Sequence, residues 1–86
     1  MANVLMTDKL TVTVKYGEQE TQITAVYGDY FKVLYEKSYE AFGIPLADRP
    51  KFGLYEITGE KLPKSAQIYN NAEMSDGSVV ELRARS

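Results

Sequence analysis

Eighty-six residues, 44% of them hydrophobic and 12% aromatic, suffice for one small domain burying roughly 60 to 65% of its unfolded surface, with no room for a separate catalytic domain. Cys and His are both absent, which excludes disulfides, the usual zinc sites, Cys or Ser/His nucleophiles and a His proton shuttle. Ten Lys and Arg are interspersed with twelve Asp and Glu for a net charge of -2, so no basic stripe invites nucleic acid and no charged leader marks a signal peptide. No apolar run approaches the ~20 residues that span a bilayer. The expectations are no cofactor, no membrane or nucleic-acid partner and, by default, a cytoplasmic location, although a chain without Cys tolerates other compartments.

Residues 1–9 read as a flexible leader and 10–86 as a single domain. Leu10 to Tyr16 alternates apolar and polar residues, the period of a strand with one face on a core, and points Leu10, Val12, Val14 and Tyr16 inward. Gly17 to Glu20 is a turn-like break. Thr21 to Tyr27 alternates again with Ile23, Ala25 and Tyr27 on one face, which completes a hairpin. Asp29 is placed to cap a helix with its carboxylate.

From Tyr30 to Phe42 the period becomes helical, with Phe31, Leu34, Tyr35, Ser38 and Phe42 in one stripe and Lys32, Glu36 and Glu40 opposite. Ser38 lets the helix approach the sheet closely and can bond back to the carbonyl one turn earlier. Gly43 supplies the left-handed residue that ends the helix, and Pro45 prevents its resumption. Residues 47–50 form a loop, in which Asp48 and Arg49 make a local ion pair. Lys51 to Ile57 is a third strand with Tyr55 and Ile57 facing in and Glu56 facing out. Leu62 lies in a short extended piece, held at an edge by Pro63 and Lys64. A short helical turn over 69–74 drops Tyr69 and Met74 inward, and Asp76-Gly77 leads into a last strand, Ser78 to Arg83, that buries Val80 and Leu82.

This order of elements resembles the β-grasp fold of ubiquitin over about residues 10 to 85. Three segments in register carry the resemblance: Gly43-Ile44-Pro45 after the helix, Gly59-Glu60-Lys61-Leu62 after the third strand and Asp76-Gly77-Ser78 before the last. It implies an α+β fold with a mixed sheet of four to five strands. The first and last strands would lie parallel at the centre, and one main helix would cross one face.

The resemblance also locates function. Ubiquitin carries an apolar patch on its sheet, and alignment places the Gly17-Glu18 turn, Glu56 and Arg83 where its leucine, isoleucine and valine stand. A Glu56/Arg83 pair there would reject the small helical domains that read ubiquitin. It could be a solvated cross-strand ion pair worth roughly 0.2 to 1 kcal/mol, or part of a different recognition patch around Thr13, Glu56 and Arg83. The outer helix face around Val33 is a second candidate, and Tyr30 and Tyr39 would join it if exposed. Most of the seven tyrosines are assigned to the core. Glu18 and Glu20 flank a turn without pocket-forming loops, which does not suit acid/base catalysis.

The tail is the other functional element. Ala84, Arg85 and Ser86 stop about three residues before the position of ubiquitin's diglycine, which a covalent modifier needs because a side chain would block the backbone's approach to the activating enzyme. The leading expectation is a non-catalytic ubiquitin-like interaction module of prokaryotic type. Precedents are stand-alone components of secretion systems and small subunits of multicomponent oxygenases. The alternatives are a modifier of a bacterial conjugation pathway, partnered by activating and conjugating enzymes and with its tail truncated or processed, and a sulfur carrier.

Overall fold

A computed structural model describes residues 5–71 and 74–84. Strand β1 (Lys9–Tyr16) turns at Gly17-Glu18 into β2 (Gln19–Val26), with Tyr16 opposite Gln19 and Lys9 opposite Val26. Helix α1 (Phe31–Ala41) follows, then a 3₁₀ turn (Leu46–Lys51), β3 (Phe52–Glu56), a second 3₁₀ turn (Ile68–Asn70) and β4 (Val79–Ala84). The sheet order is β2-β1-β4-β3, parallel between β1 and β4 and antiparallel elsewhere. The expected α+β arrangement, with its parallel central pair and covering helix, is therefore present with four strands.

Period-two alternation explains the core. Leu10, Val12 and Val14 from β1, Ile23 and Ala25 from β2, Leu54 from β3, and Val80 and Leu82 from β4 are all buried. Phe31, Leu34, Tyr35 and Tyr39 of α1 meet them from the helix side. Each fully buried aliphatic or Phe side chain contributes roughly 1.5–3 kcal/mol by leaving water. Tyr16, expected inside, is half-buried and closes one end of the core, its ring centroid 5.3 Å from Phe42 and 5.8 Å from Phe52.

Ser38 is fully buried, and its Oγ donates to the Leu34 carbonyl at 2.7 Å, as the sequence suggests. Gly43 ends the helix at φ +65. Asp29 is not its cap. The Asp29 carboxylate accepts the Val26 N–H at 3.1 Å, and no side chain caps the Tyr30 position. Instead the first-turn donors Phe31 N–H and Lys32 N–H reach the carbonyls of Ala66 and Lys64 at 2.9 and 3.2 Å. Backbone from a distant loop thus satisfies amides that local chemistry was expected to serve.

Further expectations need correction. Tyr39 is only 3% exposed, because the turn at 46–51 and the start of β3 build a second wall beside the helix. Its hydroxyl donates to the Phe52 carbonyl at 3.0 Å. Residues 46–51 are a 3₁₀ turn rather than a loop, and Asp48 pairs with Lys51 at 3.4 Å, not with Arg49. Arg49 instead donates through Nε to the Ile44 carbonyl at 3.0 Å. In the second 3₁₀ turn Ile68 is buried and Tyr69 is exposed, while Met74 is buried as expected.

The largest correction concerns β3. Leu54 opposes Leu82, and Glu56 opposes Val80, so Glu56 shares the core side of the sheet and is 9% exposed. Tyr55 opposes Glu81 on the other face, and Ile57, the next residue on that side, is 81% exposed. The strand's faces are the reverse of those the alternation suggests.

Candidate protein-interaction surface

The helix covers one face of the sheet, and the register defines the other. Paired residues on neighbouring strands share a face. Thr13 therefore lies in a row with Gln22 and Val79, and Lys15 in a row with Glu20, Glu81 and Tyr55. Arg83 opposes Gly53 on the same open face. Lys61 bridges to Tyr55 across the β3 edge, and its aliphatic chain lies over Gly53, where an added Cβ would sit 3.0 Å from Lys61 Cε. Glycine at this position lets the lysine lie flat on the sheet.

At the centre of the face Arg83 makes two contacts. Its guanidinium stands 4.6 Å from the Tyr55 ring centroid, and its Nε lies 2.8 Å from Glu81 Oε1. Beside this stack is a shallow groove of about 260 Å³, whose lining includes Lys15, Glu56, Ile57, Val79, Glu81 and Arg83. It adjoins a second hollow of about 320 Å³ at the end of the sheet, where Glu56, Ile57 and Val79 meet Thr58, Gly77 and Ser78. An apolar pair, a tyrosine ring, an arginine and a lysine thus stand together on the uncovered face.

Solved structures with this architecture exist, whereas no family model and no curated protein matches the chain. A designed protein based on ubiquitin aligns with TM-score 0.75 and 19% identity, covering 91% of this chain and 90% of the design. The fold is the ubiquitin-like β-grasp. The ubiquitin-like domain of an Arabidopsis thaliana protein aligns with TM-score 0.71 and 19% identity over 91% of this chain and 79% of that one. ATBAG1, solved in complex with HSP70, aligns with TM-score 0.74 and 18% identity over 88% of this chain and 40% of its own. At such identities the likeness is one of fold.

On this β-grasp sheet the expected surface residues separate. Thr13 and Arg83 are on the open face. Glu56 is not; its carboxylate oxygens accept from Asn71 Nδ2 at 3.2 Å and Thr58 Oγ1 at 3.5 Å, tying the end of β3 to the segment before β4. The anticipated Glu56/Arg83 pair is replaced by Glu81/Arg83. Val33 is half-buried on α1, in the other layer, and Tyr30 and Tyr39 are not exposed together. Of the tail candidates, Ala84 is the last residue of β4 and opposes Phe52. Arg85 and Ser86 lie outside the described residues.

Val79 is the outward neighbour of buried Val80, whereas Tyr55 and Ile57 are open-face residues that the alternation of β3 turns inward. A signal for them is present in the return from β3: Leu62 N–H donates to the Leu54 carbonyl at 2.8 Å and Glu56 N–H to the Glu60 carbonyl at 2.8 Å. Pairing the two leucines across Thr58-Gly59 puts Leu54 inside, and with it Glu56. Among the described residues no cluster of three or more Asp or Glu side chains converges as a metal site, and no helix is long and apolar enough to cross a membrane.

Proposed function

We propose that this chain is a non-catalytic ubiquitin-like interaction module that binds a protein partner through its open sheet face. The observation that carries the reading is the Tyr55–Arg83 stack beside exposed Ile57. Tyrosine and arginine are the residue types that dominate binding hot spots, because each combines a large contact area with a polar end. An 81% exposed isoleucine gains nothing for the fold, yet buries a full apolar side chain in a complex. The partner surface expected to fit is apolar at its centre, opposite Ile57 and Val79, and carries a hydrogen-bond acceptor for Arg83.

The neighbouring structure solved with HSP70 shows that a chain containing this fold is found in a protein complex. It does not transfer that partner. Roles as a small subunit or adaptor in a bacterial assembly, a cytoplasmic location and the absence of catalysis all belong to this proposal. The test is an amino-terminally tagged chromosomal copy purified under native and under denaturing conditions. A co-purifying protein that is lost in denaturant, and lost natively in Tyr55→Ala and Ile57→Ser variants, supports the module. Heavier covalent adducts that survive denaturant would replace it with the modifier reading.

A further inference from the structure

A second groove lies on the opposite side of the molecule, between α1 and the 3₁₀ turn at 46–51. Its volume is about 280 Å³, and Tyr35, Tyr39, Leu46, Arg49, Pro50 and Lys64 line it. Both tyrosine hydroxyls are engaged inward, Tyr35 with the Leu62 carbonyl and Tyr39 with the Phe52 carbonyl. The rings are thereby held in place beneath the groove, Tyr35 fully buried and Tyr39 nearly so. Lys64 Nζ stands 5.0 Å from the Tyr35 centroid and 5.7 Å from that of Tyr39, and the Arg49 guanidinium stands 5.6 Å from Tyr39 on the other rim.

Charge sets this groove apart. The whole chain carries -2, yet the lining holds Lys32, Arg49 and Lys64 against one carboxylate, Glu36. A lysine over a ring face turns one side of its ammonium to the aromatic, and its remaining N–H donors point to solvent. Leu46 is 78% exposed at the mouth. Cations on both rims and an unburied leucine are complementary to a peptide segment with one apolar side chain flanked by carboxylates.

We propose that this groove is a second docking site, for a short acidic peptide segment of a partner protein. The apolar side chain packs on exposed Leu46, and the flanking carboxylates reach Lys64 and Arg49. The site shares no lining residue with the hollows of the open sheet face, so the domain can hold two partners at once. Complementary charges at a shallow groove chiefly raise the association rate and fix orientation, and salt screens them.

The probe is a labelled seven-residue peptide with one central leucine among aspartates and glutamates, titrated into the isotope-labelled chain while amide shifts are followed. A second titration uses the same peptide with every acid replaced by its amide. Saturable shifts at residues 46–49 and 64 are expected with the acidic peptide, at least tenfold weaker with the neutral one and progressively lost as salt is added. Lys64→Glu and Leu46→Ser should each weaken binding several-fold while the domain stays folded, with Leu46→Ser, whose side chain is exposed, leaving the melting temperature nearly unchanged. Equal binding of the neutral peptide, shifts confined to the open sheet face, or binding to anionic vesicles without binding to the peptide would overturn the proposal. None of these outcomes touches the open-face reading, which its own variants test.

Discussion

The guanidinium of Arg83 lies over the ring of Tyr55, 4.6 Å from its centroid, although the two residues sit on antiparallel neighbours and do not directly oppose one another. Tyr55 opposes Glu81, which the same arginine holds at 2.8 Å through Nε. Arginine therefore fixes both a ring and a carboxylate on the uncovered face. Both contacts are solvent-exposed, so they contribute little to stability: Arg83→Ala is expected to cost about 0.5–1 kcal/mol. Urea unfolding reads this directly. A cost above ~2 kcal/mol would assign Arg83 to the fold rather than to a binding surface.

Leu34 is fully buried between the helix and the sheet. Leu34→Ala should destabilise the domain by roughly 2–5 kcal/mol, by lost transfer energy and the cavity left behind. Val33→Ala, one position away and half-buried, should cost less than ~1.5 kcal/mol. Denaturant midpoints of the two variants check the helix face.

Much of that face is legible in the sequence, for a physical reason. Strand β1 alternates strictly, and buried apolar residues recur at every second position in β2 and β4, so the period of two places Val12, Ile23, Val80 and Leu82 in the core. Strand β3 cannot be placed this way. Tyr55-Glu56-Ile57 by itself turns Tyr55 and Ile57 inward, Phe52 and Leu54 favour the opposite phase, and the long-range pairing of Leu54 with Leu82 decides between them. Glu56 is tolerated on the core side because Asn71 and Thr58 supply donors at the end of the sheet, and Asn71 is distant in sequence. The candidate site inherits the same ambiguity, since a one-residue change of phase exchanges Glu56 for Tyr55 and Ile57. The missing Asp29 cap has a similar origin: helix amides are satisfied by Ala66 and Lys64, which no local pattern announces.

Ser38 gives opposite outcomes for two substitutions. Ser38→Ala removes only the hydroxyl that bonds back to Leu34, and should change stability by less than ~1 kcal/mol. Ser38→Leu adds bulk where the exposure is zero, forces the helix off the sheet and should cost at least ~1–3 kcal/mol. Thermal melts of both variants test whether close approach is the function of this serine.

Burial raises the ionisation of Tyr35 and Tyr39 above the usual tyrosine value of 10.0, with Arg49 partly opposing the shift at Tyr39. Above about pH 10 the unfolded chain loses these protons while the folded chain keeps them, so proton loss favours unfolding. Stability is thus fully present below the unfolded value and falls as the pH rises toward the folded ones. Alkaline unfolding followed by tyrosinate absorbance should show this decline, less steep in Tyr39→Phe. An unchanged slope in that variant would show that Tyr39 is not the group responsible.

The most direct test of the open face is site-specific photocrosslinking in the native host. A photoreactive residue is placed at Lys15, on the open sheet face, and in a separate strain at Glu40, on the exposed side of α1. One defined protein adduct is expected from position 15, abolished when Tyr55→Ala or Ile57→Ser is added, and no such adduct from position 40. An adduct from position 40 alone, or one from position 15 that survives both substitutions, would contradict this expectation.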